Sequence, residues 1–71
     1  MTNEEIERRF KYHAPNDATR AIHDEVRDQT LAFAQWLDSN LPGESREKSL
    51  VFTAFEEAMF WAHAHIARNL P

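Results

Sequence analysis

Apolar side chains recur along this chain at intervals of three and four, in three blocks set apart by Pro15 and by the Pro42-Gly43 pair. The first block covers residues 2–11. Ile6 and Phe10 stand four apart on one face, and Thr2 with Glu5 has the spacing of a capping box, so a short helix is predicted. His13-Ala14-Pro15 then turns the chain, with Tyr12 at the edge of the turn. The second block runs from Asn16 to about Leu41. Asn16 is a good N-cap, and Asp17 favours the positive end of the helix dipole. Ile22, Val26, Thr30, Phe33, Trp36, Leu37 and Leu41 fall on one broad stripe of a helix roughly 37 Å long.

The third block begins near Ser45 and reaches about Asn69. Thirteen of the 21 residues between Ser49 and Asn69 are apolar. Leu50, Val51, Phe52, Ala54, Phe55, Ala58, Met59, Trp61, Ala62 and Ile66 spread over an arc of roughly 200°, against the ~100° that one helical partner needs. The pattern therefore predicts an all-α chain, a single domain over residues 1–71. A short N-terminal helix is followed by a two-helix antiparallel hairpin, whose surplus apolar face meets further copies of itself in a homo-oligomeric helical bundle.

Composition strengthens that expectation. Ordering 71 residues costs on the order of 100 kcal/mol at ~1.5 kcal/mol per residue, which a lone core of this size barely balances. With no cysteine, neither a disulfide nor a Cys-based zinc site can staple the fold, which leaves oligomerisation. Twelve acidic residues against eight Lys and Arg give a net charge of −4, a poor match to a DNA or RNA polymer. The charged opening MTNEEIERRF has no apolar h-region of a secretory signal. The window SLVFTAFEEAMFWAHAHIA has transmembrane length, but Glu56 and Glu57 sit at its middle, and it reads as a buried helix away from any membrane. A single glycine argues against a phosphate-cradling Gly-rich loop.

Four groups of residues could carry chemistry. Arg8, Arg9, Lys11, Tyr12 and His13 place cations beside a ring, which suits an anionic ligand carrying a base; the plainer reading pairs Glu4 with Arg8 and Glu5 with Arg9 on a solvated face. Arg20, His23 and Arg27 share one strip of the second helix and could hold phosphate, or form a ladder in which Asp24 takes both arginines. Glu56, Glu57, His63 and His65 suggest a metal, but residues one and two apart diverge on a helix, and the spacing of a helical zinc motif is absent, so no metal site is expected within one chain. His65, Arg68 and Asn69 interrupt the apolar arc on the side of Trp61 and Ala58, where either the interface ends or a polar ligand lies. No nucleophile has a positioned base, and neither an enzyme activity nor a cofactor is expected.

The strings FKYHAP, LAFAQWL and SREKSLVFTAFEEAMFWAHAHIAR together resemble the phage hairpin-domain family of nucleotide sponges, from about Phe10 to Arg68. That family includes anti-CBASS sponges and the hairpin domain of Thoeris anti-defence proteins. The resemblance implies a non-enzymatic protein of the infected host cytoplasm. It would assemble as a homo-oligomer, typically a hexamer, and sequester cyclic oligonucleotide immune signals without cleaving them. Tyr12 matches the tyrosine that stacks on a base of a cyclic dinucleotide. Arg27 sits where the family places a basic residue near the phosphates, and Lys11 lies beside the tyrosine. Arg68 and His13 match positions associated with separate cyclic trinucleotide pockets, with Asn69 adjoining. The family usually reads WANAAIAR, whereas here His63 and His65 replace Asn and Ala. A sponge for a cyclic ADP-ribose-type signal, or a helical interaction module that binds no nucleotide, are the alternatives.

Overall fold

The computed structural model describes all of Met1–Pro71 and contains three helices and no strand: α1 Asn3–Phe10, α2 Asp17–Asn40 and α3 Arg46–Asn69. Each begins at a polar cap. The Thr2 hydroxyl accepts from the Glu5 amide at 3.1 Å. The reciprocal half of the expected box is missing, because the Glu5 carboxylate is taken by Arg8 and Arg9 instead. At α2 the box is complete but built from Thr19: the Asn16 side chain accepts from the Thr19 amide, and the Thr19 hydroxyl accepts from the Asn16 amide, both at 2.9 Å. Ser45 caps α3 through the Lys48 amide at 2.9 Å.

The turn between the long helices is tied from within. Pro42 cannot extend α2, and Gly43 takes φ +83°, which a side chain would strain. Lys48 then reaches back from the first turn of α3. Its ammonium donates to the carbonyls of Leu41 at 2.8 Å and Gly43 at 3.2 Å, and pairs with Asp38 at 3.0 Å. The hydrogen bond to Asp38 raises the lysine's pKa, so the clamp stays charged.

A five-residue connection between long helices makes an antiparallel hairpin. His23 meets His63, Thr30 meets Met59, Phe33 meets Phe55 and Asp38 meets Lys48, so one index falls as the other rises. Along the seam the half-buried His23, Val26, Thr30, Ala34 and Leu37 of α2 stand against the half-buried Phe52, Phe55, Met59 and His63 and the buried Ile66 of α3, where Lys48, Ala62, Ala64, Ala67 and Arg68 are half-buried too. Steps of three and four give the 3.5-residue seam of a coiled coil. This corrects the broad stripe expected for α2: Ile22, Phe33 and Trp36 lie on its exposed side, although Phe33 still meets the edge of Phe55 with centroids 5.4 Å apart.

The result is a slab of 47 × 30 × 12 Å, one helix thick. Only Ile66 at 4% and Thr19 at 6% exposure are buried. The accessible surface is 5710 Å², whereas a folded monomer of 8.3 kDa has about 4600 Å². Much of the surplus is apolar: Leu31, Trp36, Leu50, Phe60 and Trp61 are all more than half exposed. The surplus apolar face expected of α3 is present and uncovered within one chain. No helix is long and apolar enough to cross a membrane.

Candidate functional site

Folding brings together residues that lie at opposite ends of the sequence. α1 lies against the C-terminal turns of α3, where Arg8 Nη1 donates to Asn69 Oδ1 at 2.7 Å and Arg68 Nη2 donates to the Arg9 carbonyl at 3.2 Å. Between the two helices is a cleft of about 360 Å³ lined by Glu5, Arg8, Arg9, Phe10, Trp61 and Arg68. A hollow of about 200 Å³ continues it past His65 and Asn69. Three guanidinium groups thus stand beside two exposed rings, Phe10 at 82% and Trp61 at 68%. Glu5 is the one carboxylate lining the cleft. It accepts from Arg8 through both oxygens at 2.9 Å and from Arg9 at 2.8 Å, and these bonds hold its pKa down to about 2. Three cations against one anion leave the cleft net positive on a chain of net charge −4.

A second concavity is the groove along the α2–α3 seam, with a volume of about 430 Å³. Its floor is apolar, from Phe52, Phe55, Met59 and Phe60, and its polar groups are Arg27, Thr30, Glu56 and His63. Few well-placed polar groups on an apolar floor are the usual make-up of a small-ligand site. Arg27 at its rim pairs with Asp24 at 3.1 Å. Arg20 pairs with Asp17 at 3.3 Å rather than with Asp24, so the ladder expected on α2 is replaced by two separate pairs. His23 leaves the arginine strip and turns inward, where its Nδ1 lies 2.6 Å from Nδ1 of His63. Burial first, then the nearby His23 and Arg27, lower the pKa of His63.

The remaining expected site residues are dispersed within one chain. Tyr12, 85% exposed, lines neither the groove nor the cleft. Lys11 caps α1 and pairs with Glu7 at 3.4 Å. His13 is half-buried, and its Nε2–H donates to the Arg8 carbonyl at 2.7 Å. Arg68 and Asn69 are brought together with Arg8, whereas Arg27 stands apart in the groove. Arg8 is bound to Glu5 and not to Glu4. The signal for the α1–α3 cleft was present in two halves, a basic run at one end and Trp61 with Arg68 at the other. Only the docking of α1 joins them. No three His, Asp or Glu side chains stand close enough to hold a metal ion.

The family model of the Acb2/Tad1 hairpin domain matches residues 2–67, a span that takes in α1, α2 and all but the last turn of α3. No curated protein and no solved structure matches the chain. The family match agrees with the resemblance carried by YHAP and by the long α3 string, and its broad role is that of a ligand-binding anti-defence sponge and not of a catalyst. The chain belongs to the Acb2/Tad1 hairpin-domain family.

Proposed function

We propose that this chain is a phage-encoded sponge that assembles as a homo-oligomer, of the size of a hexamer, and sequesters cyclic dinucleotides in the cytoplasm of the infected host without cleaving them. One observation carries the reading: the groove-lining Arg27 and the free, exposed ring of Tyr12 belong to no common pocket of a single chain. Their use in one site requires a second copy, and the uncovered apolar face of α3 supplies the surface for it. Tyr12 would stack on a base, while Arg27 and Lys11 meet the phosphates. Starving an effector of its signal needs tight binding and no bond breaking.

The positive α1–α3 cleft favours a second ligand. Arg68 and Asn69, with His13 behind Arg8, would serve a cyclic trinucleotide there, where three cations match three phosphates and two rings can stack on two of its bases. Native mass spectrometry with and without cyclic dinucleotide reports both stoichiometries at once. Calorimetry of Tyr12→Ala should show affinity lower by ~1–3 kcal/mol, the weight of one base stack. Recovery of intact ligand is expected. Absence of binding across a panel of cyclic nucleotides would sink the proposal, and displacement by a cyclic ADP-ribose would redirect it to that signal class.

A further inference from the structure

His23 and His63 face each other across the seam in an unusual way. The ring planes differ by 16°, the centroids are 4.8 Å apart and the two Nδ1 atoms 2.6 Å apart. The centroid separation nearly equals the N···N distance plus the two ring radii. That is possible only if the rings lie in line, edge to edge, and not face to face. A metal between them would need about 2.0–2.1 Å to each nitrogen, for which there is no room. The gap fits one proton, donated by one Nδ1 and accepted by the other.

That single proton determines what each ring can do with its other nitrogen. A ring that accepts at Nδ1 carries its own proton on Nε2. Neither Nε2 has a protein partner, and neither is sealed from solvent. His63 lines the α2–α3 groove together with Arg27. The charged groups around the pair are Arg27 on α2, itself bound to Asp24, and Glu56 on α3.

We propose that His63, with its ring locked by His23, is a ligand-contacting residue of the Arg27 groove, presenting Nε2–H as a hydrogen-bond donor to a phosphodiester oxygen. The inference rests on the reading of that groove as the phosphate end of the nucleotide site. His23 is the positioning residue. It donates its Nδ1–H to His63 and so holds His63 Nδ1 as the acceptor. The lowered pKa of His63 agrees with a neutral ring that accepts at Nδ1.

The test uses the full chain and a cyclic dinucleotide of two adenosines as the probe. Nitrogen-15 NMR of the histidine rings in the free protein should show His63 bare at Nδ1 and protonated at Nε2. Saturating probe should shift the Nε2–H resonance of His63. His63→Ala should weaken binding about tenfold or more, the weight of a hydrogen bond to a charged group. His63→Asn, which keeps a donor, should recover part of it. His23→Ala should weaken binding less and free the His63 ring. A wild-type protein that ignores the probe overturns the reading of the site and this contact with it. A wild-type protein that binds, with His63 Nε2–H unmoved and His63→Ala binding equally well, overturns this contact alone. The ring resonances of the wild type decide the matter even if a variant fails to fold.

Discussion

Arg8 and Asn69, 61 positions apart, are joined by a 2.7 Å hydrogen bond from Nη1 to Oδ1. An eight-residue helix has little stability of its own, and α1 buries none of its residues. Its place on the hairpin depends on this bond, on the bond from Arg68 to the Arg9 carbonyl and on the ring of His13 beneath Arg8. Asn69→Ala should therefore loosen α1 selectively. Hydrogen exchange should quicken at the amides of Asn3–Phe10 while those of the α2–α3 seam keep their protection. Equal quickening in both regions would show that α1 and the hairpin open as one unit.

Thr19 is the polar residue most deeply buried, and its hydroxyl serves the Asn16 amide that opens α2. Thr19→Ala leaves that amide unpaired and should lower stability by about 1 kcal/mol in urea denaturation. Thr19→Ser should recover most of the loss. A Thr19→Ala protein as stable as the wild type would mean that water replaces the hydroxyl without penalty.

Acid should weaken the hairpin. The pKa of His63 is lowered in the folded chain by burial, by His23 and by Arg27, while the unfolded chain titrates near 6.5. The unfolded state then binds more protons, so the stability from this group is present above about 6.5 and is lost as the pH falls through the lower folded value. A second effect lies further down: Glu5, held at about 2, contributes above 4.5 and loses that contribution as the pH approaches 2. Thermal melts between pH 7.5 and 5 should show a falling midpoint in the wild type and a flatter one in His63→Asn.

Ile66 and Trp61 are five residues apart and should respond in opposite ways. Ile66, 4% exposed, is the apolar side chain most deeply packed between the helices, and Ile66→Ala should cost about 2 kcal/mol or more of hairpin stability. Trp61 is 68% exposed, and Trp61→Ala should change the stability of an isolated chain by less than about 0.5 kcal/mol. If copies assemble over this face, the midpoint rises with protein concentration, and Trp61→Ala reduces that rise. Sedimentation velocity over a hundredfold range of concentration checks both.

The helices were legible in the sequence because their signals are local. Asn16 before Asp17, the Pro42-Gly43 break and the density of apolar residues after Ser49 each act within a turn or two. The inward side of α2 was not legible. The apolar stripe is broad, and the seam selects His23 and Ala34 from its edge while leaving Ile22 and Trp36 outside. That choice depends on the register of the hairpin, which the Lys48 clamp and the five-residue turn set together. The meeting of His23 with His63 follows from the same register, and neither residue carries any local sign of it. The cationic cleft was half legible: the ring and the arginines could be named, but their convergence depends on α1 folding back over the end of α3.

The 12 Å thickness of the slab has a consequence for how this sequence can vary. In a globular domain most substitutions disturb an interior, and new function competes with the capacity to fold. Here the requirements of folding are confined to one seam, three caps and a clamped turn. The side chains on the two broad faces add little to the seam itself, and what constrains them is whatever covers those faces. A change on those faces therefore alters what the slab presents to a partner while the seam that holds it stays the same.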